Sequence, residues 1–480
     1  MTAPQRERPP TAAGFAPVLA ANALPLVGVL ALGWDPATLA VIYVLEVLFS
    51  FPLAAVTALF AQRPPADHDD ENSGVITVSD RLVEKRGSVA VASWLPPVYP
   101  RTVPFAVSVV EAGVHFGAVV GIALAATLPG PLAGVLGSPE VALGVAALVV
   151  GQSVDTWREY FRTRRYEERT PYAVVETPAR RTFFLAFVLF VVAGGADATV
   201  VLSALVVTKL LVEWSAHRAQ GKSGGRLTAW LAGPDTRTEP PDPIAVPDGE
   251  PEACVQTDDR AVLLTGVFRT LVRRAPIYVT WSVIVCVAGL AVIGEDAPPA
   301  LSVALVASVA VLFTCLLAAR AGVFYLGFAH LEYRCYADRV VAYDTLVGEA
   351  QWTSPLDVFR DATVLSDSLP DRLLGTRTVG VTTGWGEAET RRYLGPVADA
   401  GALVAALDLP VETDLAPIDR RVAALTIGIA LAAVAVGVAA LIGGEGDVVL
   451  SGVFVCPFVA FPLWALWRRA YPERSERAVE

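Results

Sequence analysis

The sequence has few charged residues for its length, and almost no lysine. Charged side chains make up 18% of the 480 residues, whereas soluble domains carry about 25%. Hydrophobic residues make up 54% and are concentrated in long runs. Lysine occurs only at Lys85, Lys209 and Lys222, so arginine supplies nearly all of the positive charge. This composition indicates a membrane protein, and the net charge of −11 is typical of a salt-rich cytoplasm.

Cysteine and histidine are also scarce, which argues against several classes of site. The five cysteines include no CxxC pair, so neither a zinc site nor a disulfide framework is predicted, and we expect no metal and no cofactor. No soluble segment carries a basic stripe, so we expect no nucleic-acid partner. The segment Gly221-Lys222-Ser223 ends like a phosphate loop, but the earlier glycine is replaced by Ala216, which excludes a nucleotide site there.

About ten apolar runs are candidate transmembrane helices, because a helix crosses the hydrocarbon core with about 20 residues. The connections between them alternate between segments without Lys or Arg and segments rich in Arg. The positive-inside rule then predicts a multi-pass protein of the cell membrane with both termini in the cytoplasm. The candidate spans are residues 13–32, 37–61, 103–128, 141–157, 183–194, 198–214, 276–293, 300–319, 422–442 and 448–467.

The stretch 181–217 requires either two crossings or a re-entrant element. It is too long for one crossing, is basic at both ends, and contains a short apolar run at 183–194. We predict a tight hairpin that turns at 194–197. A re-entrant loop is the alternative, and it leaves the orientation unchanged.

The predicted fold class is an α-helical integral membrane protein with about ten transmembrane helices. A small β-rich cytoplasmic domain is inserted between the eighth and ninth helices. The segment 260–274 predicts an amphipathic helix at the interface, or alternatively an extension of the next span. The predicted order is a six-helix block at 13–217, an acidic flexible linker at 218–259, an amphipathic helix and two spans at 260–329, the soluble insert at 330–417, and two spans at 420–469.

The insert alternates apolar and polar residues in short runs separated by turn residues, which predicts antiparallel strands, and 398–408 predicts a closing helix. Several short motifs follow in order: Tyr336-Ala337-Asp338-Arg339-Val340, then Gly348, Pro355-Leu356-Asp357-Val358, Asp371-Arg372-Leu373-Leu374-Gly375-Thr376-Arg377-Thr378-Val379, and Val397-Ala398-Asp399. With these, residues 331–410 resemble the bacterial pleckstrin-homology-like domain. No catalytic residues are established in that family, so the resemblance implies none here.

The first block carries its own markers, mostly polar and aromatic residues within or beside apolar runs. They are Asn22-Ala23-Leu24-Pro25-Leu26, Gly33-Trp34-Asp35, Tyr43, Glu46, His115-Phe116-Gly117, Arg158-Glu159-Tyr160, and the stretch from Thr208-Lys209 to His217-Arg218. Through them, residues 15–218 resemble an uncharacterised prokaryotic family of multi-pass membrane proteins of unknown function. The resemblance implies a structural unit and leaves its chemistry open.

Ionisable residues inside a bilayer cost roughly 2.5–3.5 kcal/mol each on insertion scales, so they mark candidate sites. Glu46 lies in the second predicted span, and Glu111 and His115 lie four residues apart in the third. They form a candidate intramembrane polar site for proton exchange. The alternative is hydrogen bonding between helices that fixes their packing.

Three further ionisable residues lie nearer to span ends. Lys209 and Glu213 are predicted to form an ion pair near the interface, and Asp155 is predicted to be structural. One histidine with two carboxylates could bind a divalent ion, but a single Glu111–His115 spacing in an apolar helix favours packing between helices instead.

Three functional hypotheses remain open. The preferred one is a non-enzymatic membrane protein whose insert mediates protein assembly or regulation, through a protein partner or self-association. The insert holds seven Arg and fifteen Asp or Glu over 330–419, so binding to anionic lipid headgroups is not expected. The alternatives are a proton-coupled transporter and a membrane-embedded enzyme, each using the Glu46, Glu111 and His115 group.

Overall fold

The computed structural model divides into two compact units. The helical unit comprises residues 1–83, 90–241 and 285–308, and the sheet unit comprises 84–89, 242–284 and 309–480. The structure describes residues 27, 29–31, 33–65, 78, 81–127, 132–192, 198–220, 230–231, 242–293, 298–365, 368–386, 389–415, 417–443, 462–463, 465–467 and 469–470.

Helix α1 is the central helix of the helical unit, since it packs against α2, α4, α5 and α6. Asp35 begins α1 by accepting hydrogen bonds from the backbone amides of Ala37 and Thr38, and a proline follows at the first helical position. Ser138 begins α4 in the same way. The helices of this unit are α1 (Pro36–Leu59), α2 (Val103–Thr127), α3 (Leu132–Leu136), α4 (Pro139–Thr156), α5 (Pro171–Val192) and α6 (Ala198–Gln220).

Two long apolar helices follow, α7 (Asp259–Ile293) and α8 (Pro299–Phe328). Helix α7 is continuous through Pro276, so the amphipathic segment 260–274 and the predicted span 276–293 belong to one helix. The short run 183–194 is largely the second half of α5, which begins at Pro171 and so is longer than expected. The predicted turn at 194–197 lies outside the described residues.

Four helices of the described residues are long and apolar enough to cross a membrane. The helices α4, α6 and α11 (Arg420–Gly443) also cover predicted spans, while most of 13–32 and 448–467 lies outside the described residues. The count of about ten spans therefore remains a prediction. The four helices are Pro36–Leu59, Pro100–Leu124, Asp259–Leu290 and Pro299–Phe328.

The sheet unit contains two antiparallel sheets, one of four strands in the order β1-β2-β3-β4 and one of three in the order β5-β6-β7. Apolar side chains from both sheets and from α10 form one core, which includes Tyr333, Val381, Leu394 and Leu403. The elements are β1 (Ala253–Gln256), β2 (Leu331–Cys335), β3 (Arg339–Asp344), β4 (Glu349–Pro355), β5 (Phe359–Val364), α9 (Leu369–Leu374), β6 (Arg377–Thr383), β7 (Thr390–Val397) and α10 (Ala400–Ala406).

The small antiparallel sheet region and its closing helix agree with the sequence prediction. One boundary differs, because β1 comes from the predicted flexible linker 218–259 and pairs with β2, Ala253 opposite Cys335. Val255 of β1 is buried in the core, and this burial together with the pairing to β2 explains why the segment forms a strand. Four residues between Pro-rich and acidic flanks are too few for a clear alternation signal.

Candidate functional site

The charged groups within the helical unit centre on an ion pair between α1 and α6. The ammonium Nζ of Lys209 lies 2.8 Å from Oε1 and 2.7 Å from Oε2 of Glu46. The side chains of Glu46 and Lys209 are 15% and 24% exposed, so both charges are largely withdrawn from solvent. The pair is neutral as a unit, which lowers the cost of placing either charge in an apolar bundle.

Two further side chains complete the surroundings of this pair. The Lys209 ammonium lies 4.9 Å from the centroid of the Tyr43 ring, one turn before Glu46 on α1. The amide nitrogen of Gln152 on α4 lies 3.5 Å from Glu46 Oε1. The polar cluster therefore ties α1, α4 and α6 together.

Glu111 and His115 lie one turn apart on α2, as their spacing predicts. Glu111 is buried, His115 is half-buried, and the Glu111 carboxylate acts electrostatically on the His115 ring. Towards α2, helix α1 presents Leu48 and Phe51, since Phe51 stacks on Phe116 with ring centroids 6.0 Å apart and Leu48 packs at Gly117.

Glu46 lies on a different side of α1 from Leu48 and Phe51. It is two residues before Leu48, which corresponds to about 200° around a helix, and its partners lie on α4 and α6. The three candidate residues are therefore divided between Glu46 with Lys209 on one side of α1 and Glu111 with His115 on α2.

The predicted pairing of Lys209 with Glu213 stays a prediction, and the geometry adds a partner for Lys209 that the spacing did not indicate. Lys209 pairs with Glu46 on another helix, and the side chain of Glu213 lies outside the described residues. Spacing along one helix could not reveal a partner on a different helix. Asp155 is exposed near the end of α4.

The helical unit contains a second buried ion pair, formed by Arg180 and Glu176 of α5. The two adjacent arginines at 180–181 did not by themselves indicate it. Arg180 Nε lies 2.7 Å from Glu176 Oε1 one turn earlier on α5, and the two side chains are 9% and 0% exposed. Arg180 also donates to the carbonyl oxygen of Trp230 over 3.2 Å, with its guanidinium 5.6 Å from the Trp230 ring centroid. The four-residue spacing of Glu176 and Arg180 was the available signal.

The sheet unit encloses a short segment of the chain, residues 84–89. The ammonium of Lys85 forms an ion pair with Asp344 at the end of β3 and donates to the carbonyl oxygen of Leu326 near the end of α8. The side chains of Lys85 and Asp344 are 5% and 0% exposed. A buried pair of this kind is costly to break, because either partner alone would be an uncompensated charge.

The next two residues extend this contact along the β3–β4 hairpin. The side-chain amide of Gln351 accepts from the Arg86 backbone N–H over 2.8 Å and donates to the Arg86 carbonyl over 3.3 Å. Gly87 has φ +87°, and a Cβ atom there would lie 2.7 Å from the Cβ of Val347. The sheet unit thus holds residues 84–89 by an ion pair, by side-chain hydrogen bonds to the backbone of Arg86 and by close packing at Gly87.

Within the sheet unit, Asp371 is a buried carboxyl that organises the α9–β6 connection. It accepts hydrogen bonds from the hydroxyls of Thr376 and Thr378, over 2.8 and 2.9 Å. Burial raises the pKa of Asp371 above its usual 3.8, and the hydroxyl bonds oppose that shift. Elsewhere in the unit, Cys335 is buried on β2, and this burial raises the pKa of its thiol to about 11.

The side chains of the described residues offer no group of three or more His, Cys, Asp or Glu that could hold a metal ion. The chemistry that these side chains show is ion pairing and hydrogen bonding within the chain. Comparison with curated proteins finds no match, and comparison with solved structures finds none. Residues 3–228 match the model of a family of unknown function (DUF6498), so the first block of this chain is similar to that uncharacterised family.

Proposed function

We propose that this chain is a non-enzymatic multi-pass membrane protein whose sheet unit mediates protein assembly or regulation on the cytoplasmic side. The observation that carries the proposal is the packing of residues 84–89 into the sheet unit, because it supports an ability of this unit to hold a peptide segment from a distant part of the chain. Lys85 and Asp344 supply a buried ion pair, and Gln351 matches both backbone groups of Arg86. A domain that binds one segment of its own chain has the surface chemistry of an interaction module.

We propose further that the sheet unit is a pleckstrin-homology-like domain. Four strands, then three, and a closing helix support this fold, together with Gly348 at the β3–β4 turn. Asp371 also supports it, since the motif that contains it forms α9 and the start of β6. The acidic balance of 330–419 argues against anionic headgroups as its ligand.

The test uses full-length chains in membranes. Residues 331–410 are replaced by a Gly-Ser linker, and co-purification of a differently tagged second copy and of other membrane proteins is compared with the intact chain. We expect the replacement to abolish at least one association. An unchanged association profile would contradict the proposal.

The control for this test is a variant that disturbs charge in the helical unit alone. Glu46→Gln leaves the sheet unit intact, so its association profile should match that of the intact chain. Equal abundance of all three chains in the membrane fraction shows that insertion is unaffected.

Proton-coupled transport is a second candidate function, favoured by the ion pair of Glu46 and Lys209 within the bundle. Glu46→Gln and Glu111→Gln would then block proton-linked flux in sealed vesicles, while Asp155→Asn would not. Flux that is unchanged in both of the first two variants rejects this candidate.

A further inference from the structure

One face of the three-stranded sheet carries a row of arginine side chains. Arg360 of β5 pairs with Thr382 of β6, and Thr382 pairs with Arg391 of β7. Directly opposed residues in antiparallel strands project to the same side of the sheet. We name the surface formed by Arg360, Arg391, Tyr393 and the adjoining Trp385 the arginine face, and Thr382 is buried beneath it between the two arginines.

Trp385 is the exposed anchor of the arginine face. Its side chain is 63% exposed, and the Arg360 guanidinium lies 4.0 Å from the centroid of its ring. Arg360 is itself held by the carbonyl oxygen of Gly384 over 2.8 Å and by Glu389 over 3.0 Å. A tryptophan stacked on a fixed arginine is already ordered before binding, and Trp and Arg dominate the energetics of protein interfaces.

Two arginines and one carboxylate, that of Glu389 paired with Arg360, leave the arginine face with a net positive charge within an acidic domain. The stretch 330–419 has fifteen acidic residues and seven arginines. Arg360 and Arg391 stand two strands apart, about 10 Å at the usual strand spacing. An extended acidic segment laid across the sheet would meet both guanidinium groups, because Arg pairs well with carboxylates. The complementary occupant is therefore an acidic polypeptide.

The arginine face lies at the end of the sheet unit that is remote from α7 and α8. The last residue of β7, Val397, bridges Thr257, two residues before α7 begins at Asp259. The first residue of β7, Thr390, is seven residues away, about 23 Å along a strand. With α7 and α8 in the membrane, the face lies at the end of the sheet unit that is distant from the bilayer. This position argues against a lipid surface as the occupant.

An exposed acidic turn lies at the same remote end. Asp248, Glu250 and Glu252 are exposed around Gly249, and the turn leads into β1. The first residue of β1, Ala253, pairs with Cys335, at the end of β2 that is away from α8. Each copy of the chain thus carries an acidic turn and an arginine face at matching ends of its sheet unit.

We propose that a second copy of this chain is the occupant, with the acidic turn 248–252 of one copy docked on the arginine face of the next. Two copies in one bilayer share the same orientation, so surfaces at the same end of the unit are at a similar height. The contact is heterologous, since two different patches meet, and it builds a ring or a chain of copies. The inference rests on the proposed assembly function of the sheet unit and names its partner.

The experiment compares charge-reversed full-length chains. The face variant carries Arg360→Glu and Arg391→Glu, and the turn variant carries Asp248→Arg and Glu250→Arg. Molar mass in detergent or nanodiscs is measured for each alone and for their mixture. We expect the wild type to form assemblies of two or more copies, and each variant alone to weaken self-association by about tenfold or more. Mixing the variants restores both contacts, because opposite charges then meet at each interface.

Two smaller changes serve as matched controls. Arg360→Lys with Arg391→Lys keeps the charge and should retain most of the association. Trp385→Ala removes the anchor and should weaken association, whereas Leu373→Ala, which truncates a 73% exposed side chain on α9, should not.

The outcomes separate this inference from the proposed function. Self-association that is lost when 331–410 is replaced but persists in the face variant overturns the docking and leaves the assembly function standing. A wild type that is monomeric at all concentrations overturns the docking as well. If replacement of 331–410 also changes no association with other proteins, the proposed function fails with it.

Discussion

Asp371 is a single residue whose protonation is linked to the stability of the sheet unit. Its folded-state pKa is raised above the ordinary 3.8, because burial disfavours the carboxylate. Below pH 3.8 the group is protonated in both the folded and unfolded states. As pH rises through the folded pKa, the unfolded chain has already released the proton, so stability is lost.

We therefore expect Asp371→Asn to gain stability relative to the wild type as pH rises from below 3.8 towards neutrality. The difference between the melting temperatures of variant and wild type, followed by tryptophan fluorescence, measures this effect. Asp357→Asn, which changes an exposed carboxyl, is the control. A difference that is constant with pH for Asp371→Asn would contradict the assignment.

The pair of Glu46 and Lys209 makes a second prediction at the residue scale. Lys209→Met leaves a largely buried carboxylate without its cation, and Glu46→Gln leaves the ammonium without its anion. We expect each single variant to lower thermal stability in detergent. The double variant should lose less than the sum, with a coupling free energy of about 1–2 kcal/mol.

Melting temperatures of the four chains give this coupling. Leu211→Met, which alters an exposed apolar residue on the same helix, should be close to wild type. Additive effects of the two substitutions would show that the ion pair contributes nothing to the bundle.

At the scale of elements, the segment 84–89 is held by one buried charge pair. Lys85→Met leaves Asp344 fully buried and unpaired, so we expect a loss of about 3 kcal/mol in the free energy of unfolding of the sheet unit. The double variant adds Asp344→Asn to Lys85→Met. This second change removes the buried charge but keeps the side-chain oxygen that accepts hydrogen bonds from the backbone amides of Leu346 and Val347. The double variant should recover much of the loss. Denaturant unfolding checks both, and a double variant no better than Lys85→Met would refute this account.

Gly87 provides an independent probe of the same segment. Its φ of +87° strains any other residue, and a Cβ would also meet Val347. Gly249 has φ +133° but open space around it. We expect Gly87→Ala to destabilise the sheet unit by more than Gly249→Ala, as measured by limited proteolysis at the segment. Equal effects would mean that close packing at Val347 is unimportant.

Elements defined by local pattern were predictable, and those defined by distant partners were not. The strands between Leu331 and Val397 alternate clearly, so their positions follow from the sequence. Strand β1 is short and lies between Pro-rich and acidic flanks, and only its pairing with β2 reveals it. Similarly, Arg180 resembles a cytoplasmic charge until α5 is seen to bury it beside Glu176.

At the scale of the whole molecule, the proposed orientation places the sheet unit in the cytoplasm. Cys254 on β1 is exposed. The slight desolvation of its thiol and the nearby Glu332 raise the pKa of Cys254, so labelling is done at alkaline pH. In a chain with the other four cysteines replaced by Ser or Ala, a membrane-impermeant maleimide should label Cys254 in inverted vesicles and not in intact cells. Labelling in intact cells would reverse the orientation.

The sequence by itself determined that this is a protein with apolar helices of membrane-spanning length and one β-rich insert. Both properties follow from composition and from hydrophobic periodicity, which depend on residues close together in the chain. Only the tertiary structure decided which charges meet. Lys209 meets Glu46 on another helix, and Lys85 reaches Asp344 across more than half of the chain. The physical reason is that a buried charge pairs with whichever opposite charge the packing brings within a few ångströms, and separation along the chain does not specify that partner.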